Sequence, residues 1–398
     1  MKKEHVLLTK FAVLLTFVFM GQAFTFTLLL PYMTSVGYDE ATQGLILAFG
    51  AILTIVGQFL VGYICDKLKT DKKVFLVASI ALAVVNWFLY SSTSHPLLLI
   101  FLWVGLLFSL FRITQGVLDS WVIESDKYCL DNYGLIRAFG AIGWAIGAPL
   151  TSFCFERWGY SSLGTAFFGF TILTLILSFF VKDAVKVEAE TKLKFSDIKE
   201  LILNQNFIML TLILLFLSIA MAADGYTSIY KMMDLGKTLG QSEAVTNSQI
   251  NLKYSFQALC ELPLFFLGGV VLKKFGGIKV LFFASAMTML RFVLYALAIE
   301  PMQIVWISSL QAVTFPLFMV CSKILIDEVS PVYLRAGGQQ ISAGVYGGVS
   351  SLVAPIFAGI MVKTFSYNIS LLIIGGTCIV PISMLVYYSR KRKSQDNQ

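Results

Sequence analysis

The chain is predicted to be an all-α membrane protein that crosses the bilayer twelve times as two pseudo-symmetric six-helix bundles. Composition, the spacing of apolar segments and the placement of basic residues support this. Of 398 residues, 57% are hydrophobic and only 13% charged, with a mean hydropathy of +0.79. That is more apolar side chain than one soluble core can bury.

A helix needs about 20 apolar residues to cross hydrocarbon. Twelve segments qualify, near 8–33, 43–65, 74–92, 97–122, 134–155, 162–181, 207–230, 250–272, 279–298, 303–326, 338–362 and 369–388. The first follows Lys2 and Lys3, as a secretory leader would. Its apolar stretch from Leu7 to Met33 is too long for one and lacks a small-residue cleavage site, so it is expected to stay as a membrane helix.

The net charge of +7 would suggest a nucleic-acid partner in a soluble protein. Here most basic residues gather in alternate loops, the pattern of membrane topology, with Arg157, Lys231, Lys237 and Lys363 as exceptions on the opposite side. Lys67, Lys69, Lys72 and Lys73 follow segment 2, and Lys182, Lys186, Lys192, Lys194 and Lys199 follow segment 6. Lys273, Lys274 and Lys279, then Arg335, then the tail from Arg390 to Lys393 fall on the same side. Both termini are therefore expected to be cytoplasmic, in a multi-pass protein of the cell membrane.

The longest charged stretch, 182–206, reads as a cytoplasmic linker between bundles at 1–181 and 207–398, the latter ending in a short basic tail. Each half repeats one feature: segment 2 runs into a basic loop at Asp66–Lys73, and segment 8 into another at Lys273–Lys279. Such duplication is common in secondary transporters, whose solute site lies near mid-membrane.

An ionisable side chain inside hydrocarbon is costly, so each is a candidate functional group. Glu261 lies 12 residues before Lys273, and Arg291 lies 12 residues after Lys279. At 1.5 Å per residue both sit ~18 Å from the same loop, which pairs them in depth. Desolvation would raise the carboxyl pKa and the guanidinium would lower it, as a proton-handling site requires; the alternative is a static ion pair that fixes packing. Asp119 and Arg137 form a second candidate pair across the loop 124–133, with Arg112 one heptad before Asp119 as a competing partner. Asp224 is the third acid, expected towards the outer end where solvent can reach it. Lys323 and Asp327 read as an interfacial pair.

Gly140, Gly143 and Gly147 suit close approach of segment 5 to a neighbour. Trp144 among them either stacks on a ring-shaped solute or fills core. Gly344, Gly347, Gly348 and Pro355 make segment 11 bendable. The two histidines, His5 and His95, lie in a terminus and a loop, and no H-E-x-x-H or phosphate-loop motif occurs. The six cysteines show no paired spacing. An enzyme is not expected, nor a metal, a cofactor or a nucleic-acid partner; a monomer in lipid is.

Gly57, Gly62, Asp66 and Lys67, with Lys72 and Lys73, resemble the signature loop of the major facilitator superfamily. Asp119, Tyr133-Gly134, Arg137, Phe139-Gly140 and Gly143-Trp144-Ala145 further resemble the lactose permease group of sugar–proton symporters. Phe275-Gly276-Gly277 and Arg291 continue that similarity. Glu261-x-Pro263, Arg291, Pro331, Leu334-Arg335, Gly338 and Gln339 are also similar to phenylpropionate-type transporters.

The resemblance implies the major facilitator fold, with Gly62, Asp66 and Lys67 in its conformational loop. It implies that Asp119 and Arg137 hold a sugar and that Trp144 stacks on its ring. The lactose permease pattern has a histidine and a glutamate in segment 10, where this sequence has Gln311 and Thr314; Gln311 is kept with the substrate-binding set. Its segment 8 glutamate falls at Ala258 and its segment 11 lysine at Gly347. Proton coupling is accordingly assigned to Glu261, Arg291 and Asp224. The expected function is proton-coupled symport of a small polar solute, an oligosaccharide first, by alternating access. A nucleoside or aromatic-acid symporter, sodium coupling and a non-transporting sensor remain alternatives.

Overall fold

The computed structural model describes residues 3–92, 95–184 and 195–396. Twelve helices among them are long and apolar enough to cross a membrane. They are α1 His5–Ser35, α2 Glu40–Cys65, α3 Lys72–Ser91, α4 Leu97–Ser125, α5 Tyr133–Trp158, α6 Ser161–Phe179, α7 Gln205–Thr238, α8 Glu243–Phe275, α9 Gly277–Leu297, α10 Pro301–Val329, α11 Gly337–Thr364 and α12 Tyr367–Lys391. No strand occurs among the described residues. In the span expected as a linker, 185–194 lie outside the described residues, and Phe195–Leu203 form a short helix.

Two compact units emerge, one of Met1–Glu188 with Met232–Leu259, the other of Ala189–Lys231 with Cys260–Gln398. Both α7 and α8 are divided between them.

In the first unit, Phe11, Leu14 and Leu15 of α1 pack on Leu118, Trp121 and Val122 of α4, with Phe75 of α3 and Ile136 of α5 completing the core. Trp121 is fully buried and donates its indole N–H to the Lys182 carbonyl at 2.9 Å. That bond satisfies the one polar atom of the largest core side chain. Glycines set the α1–α5 approach: a Cβ at Gly143 would lie 2.1 Å from the Thr16 carbonyl oxygen, and one at Gly147 2.4 Å from that of Met20. The three-residue spacing between small residues thus lets two backbones touch.

Helix α2 starts on Asp39, which accepts from the Thr42 amide at 2.8 Å; past Cys65 the helix runs on to Leu68 and is capped by Lys69 in the left-handed conformation, φ 50°. The turn after it is tied to the end of α6. Asp183 accepts from the Thr70 hydroxyl and from the Lys72 amide at 3.1 Å, and the Lys72 ammonium reaches the Val181 carbonyl at 2.7 Å.

In the second unit α9 packs on α10 and α12. Helix α10 is interrupted by a 3₁₀ turn at Ser308–Val313, just before Pro316, whose missing N–H cannot continue an α ladder. Helix α11 widens into a π turn at Gly344–Val349, where the sequence places its three glycines. The helix Phe195–Leu203 is held by Tyr333, whose hydroxyl donates to Glu200 at 2.6 Å. Just beyond it, Asn204 donates to the Val329 carbonyl at 2.8 Å.

Candidate functional site

The first unit brings Asp119 of α4 and Arg137 of α5 together, Nε to Oδ1, at 3.9 Å. Their side chains are 30% and 37% exposed, so the pair is accessible. Three neighbours orient it. The guanidinium lies 4.2 Å from the centre of the Phe19 ring of α1, a cation–π contact. The Tyr133 hydroxyl lies beside both Asp119 and Arg137. Gly140 leaves the room they need, since a Cβ there would come 2.9 Å from Arg137 Nη1 and 3.0 Å from Phe19.

Trp144 lies two turns along α5 from Arg137, on the same face. It is partly buried against the unit's core and meets Phe111 edge-on at 6.5 Å. Arg112 is exposed with its guanidinium over the Phe111 ring at 6.0 Å, and it lines a cavity of about 360 Å³ with Gln58, Gly62 and Glu124. Lys67 is exposed against Tyr63. The Asp66 side chain lies outside the described residues.

Sequence reasoning passed over an amide pair beside this face. Gln115 of α4 donates to Gln22 of α1 at 3.1 Å, and Gln22 donates to Thr114 at 3.4 Å, with Gln22 only 2% exposed. Gln115 lies one turn before Asp119. Two glutamines inside apolar segments are a signal that a search for charges alone does not see.

Helix α8 contributes to the same unit through its first half, up to Leu259. Asn251 donates to the Ser152 hydroxyl at 2.6 Å, and Ser255 donates to the Ala145 carbonyl. Between them Lys253 is 1% exposed, over the Tyr254 ring at 5.3 Å and bonded to Gln257 at 3.4 Å. This buried lysine is a second residue the sequence reading missed.

In the second unit Arg291 Nη2 meets Asp224 Oδ2 at 2.5 Å. The expected pairing of Arg291 with Glu261 is therefore corrected: the partner is Asp224. The reason is helix length. Helix α7 runs to Thr238 instead of ending near 230, which moves Asp224 from the outer end to mid-span. There it is 2% exposed, not solvated. Arg291 Nη1 also donates to the Thr314 hydroxyl at 3.1 Å, and Thr314 donates to the Gln311 carbonyl at 3.2 Å, so the arginine is anchored to the 3₁₀ turn of α10. The Gln311 side chain is half-buried, as is Glu261 on α8. Among the described residues no group of His, Cys, Asp and Glu is arranged to hold a metal ion.

Residues 8–372 match the MFS_1 like family. The probable 3-phenylpropionic acid transporter of Escherichia coli (strain K12) is 20% identical over 365 residues, covering 87% of this chain and 90% of that protein. The raffinose permease of Escherichia coli is 29% identical over 153 residues, 36% of this chain and 34% of that one. Among solved structures, the nucleoside transporter NupG superposes with a TM-score of 0.82 at 15% identity, covering 96% of this chain and 98% of that one. A bacterial homologue of the human lysosomal transporter Spinster, inward-facing and unoccupied, gives 0.72 at 11% identity over 98% and 96%. With nearly the whole chain matched and the fold reproduced, the protein belongs to the MFS_1 like family and is a twelve-helix membrane transporter of the major facilitator type.

Proposed function

We propose that this transporter is a proton-coupled symporter of a small solute whose ring carries adjacent hydroxyls, an oligosaccharide first. The observation that carries the reading is the accessible Asp119–Arg137 pair flanked by Phe19, Tyr133 and Trp144. A guanidinium and a carboxylate side by side offer donors and acceptors at the spacing of vicinal hydroxyls. The aromatic faces accept the apolar side of the ring. Neither charge is consumed by burial, which separates this pair from the closed Asp224–Arg291 pair.

Glu261, half-buried, carries the proton in this reading. Asp224 and Arg291 act as the fixed pair that holds the 3₁₀ turn of α10. Solute and proton each favour the same conformer, so the two cross together by alternating access, coupled through differential affinity. The chain works as a monomer in the cell membrane with both termini cytoplasmic, as its basic loops indicate.

A nucleoside is the second reading: ribose presents the same vicinal hydroxyls to Asp119 and Arg137, and the base presents a face to Trp144. Uptake of labelled raffinose, uridine and 3-phenylpropionate into proteoliposomes, with acid outside, tests the proposal. Acid-driven uptake of raffinose or uridine, lost in Arg137→Lys, supports it. Uptake of 3-phenylpropionate alone, unaffected by Arg137→Lys, contradicts it.

A further inference from the structure

Helix α8 carries one polar residue per turn along its first half. Glu243, Asn247, Asn251 and Ser255 each stand four residues from the next, so that neighbours share a face. All four bond to α5 or to the turn that follows it. Tyr160 donates to Glu243 Oε1 at 2.5 Å and accepts from Asn247 at 3.4 Å. Asn251 donates to the Ser152 hydroxyl at 2.6 Å, and Ser255 donates to the Ala145 carbonyl. Asn247, Asn251 and Ser255 are 1%, 0% and 5% exposed, so these contacts form a buried polar seam between α5 and α8.

The last contact has its cause in the sequence of α5. Pro149 lies inside that helix and has no N–H, so the Ala145 carbonyl four residues earlier cannot receive its α-helical bond. Ala145 is 7% exposed. A buried carbonyl without a donor is costly, above all in lipid, where water cannot stand in. Ser255 supplies the donor from the neighbouring helix. The other contacts join side chain to side chain; this one completes a backbone. It does so only while α8 lies on α5, because separation leaves the Ala145 carbonyl bare until water reaches it. The remaining groups of the seam are hydroxyls, amides and a carboxylate, which water solvates once the helices part, whereas an apolar seam would expose hydrocarbon. The seam is therefore suited to reopening.

We infer that Pro149 and Ser255 form a releasable latch, which holds the first half of α8 docked on α5 and lets it part in the transport cycle. Pro149 creates the unmet acceptor and Ser255 meets it, so the two act as one device. The inference rests on the alternating access of the proposed function and not on the identity of the solute.

The test is hydrogen exchange, read by mass spectrometry, in peptides from 243–259 of the purified full-length protein, with peptides from α9 as internal reference. Expected in wild type is faster exchange in 243–259 than in α9, since a segment that undocks opens at less than the cost of global unfolding. Ser255→Ala should speed exchange of 243–259 by about threefold or more with α9 unchanged, and Ser255→Thr, which keeps the hydroxyl, should not. Pro149→Ala, or Pro149→Leu if the first gives little folded protein, restores the missing amide and lets α5 satisfy Ala145 itself. Adding Ser255→Ala to that background should change exchange by less than about twofold. Exchange in wild type no faster than in α9, unchanged exchange in Ser255→Ala, or a gain shared by α9 or by Ser255→Thr overturns the inference. So does an equal gain from Ser255→Ala in the Pro149→Ala background, which would show that Ser255 acts independently of the proline. No solute is added, so a supported latch stands even if neither raffinose nor uridine is transported, and a failed latch leaves the solute reading intact.

Discussion

Arg291 of α9 and Asp224 of α7 meet at 2.5 Å, with side chains 1% and 2% exposed. Arg291 carries a second bond to Thr314 at 3.1 Å, so one guanidinium joins α7, α9 and the interrupted part of α10. An ion pair closed to this degree is kept only if both partners stay, because removing one leaves a bare charge in a dry setting.

Replacing one partner should therefore be severe. Asp224→Asn or Arg291→Gln is expected to lower the stability of the detergent-solubilised protein by about 3–5 kcal/mol, and Asp224→Asn/Arg291→Gln by less than either alone. Thermal unfolding of the three proteins checks this; additive losses would show that the groups act separately.

The α1–α5 contact makes a sharper steric prediction. Gly143→Val puts methyls where a Cβ alone would already lie 2.1 Å from a backbone oxygen, so folded protein should be lost. Gly169 on α6 has nothing within 4 Å of an added Cβ, and Gly169→Ala should leave the yield unchanged. Size-exclusion yield in detergent compares them.

Cys129 lies in the α4–α5 loop and is fully buried. Burial, then the Asp126 carboxylate, pushes its thiol up to about 11. At pH 8 about one thousandth is thiolate, so maleimide should modify Cys129 only after unfolding, as mass spectrometry would show. The folded state keeps this proton above the ordinary thiol pKa of ~8.5, where the unfolded chain releases it. Its contribution to stability is whole below pH ~8.5 and is lost as pH rises through about 11; Cys129→Ser should flatten that decline.

Within the proposed function, Arg137→Lys should weaken solute binding roughly ten- to a hundredfold, since an ammonium cannot reproduce the bidentate fork. Glu261→Gln should abolish uphill accumulation while leaving solute exchange intact, because exchange needs no net proton movement. Counterflow and accumulation measured on the same vesicles separate the two roles.

Much of this architecture is legible in residue order. Asp119 and Arg137 flank a short loop between antiparallel helices, so their meeting follows from counting. The same spacing logic applies to Gly143 and Gly147 against α1. Counting failed for Asp224 because it depends on where a helix ends: the apolar segment stops near 230, yet α7 continues to Thr238, and Lys231 is 5% exposed. Lys253 falls inside the expected segment 8 but close to its start near 250, whereas α8 begins at Glu243 and carries it further from the helix end. Gln22 and Gln115 carry no charge, so their cost in hydrocarbon is smaller and their signal weaker.

The most direct test of the central claim is the pH outside lightly buffered, de-energised vesicles carrying the protein, followed as raffinose and uridine are added in turn. The account predicts solute-dependent alkalinisation that vanishes in Glu261→Gln and in Arg137→Lys at limiting solute. Solute entry with no movement of protons, or alkalinisation undiminished in Glu261→Gln, would contradict it.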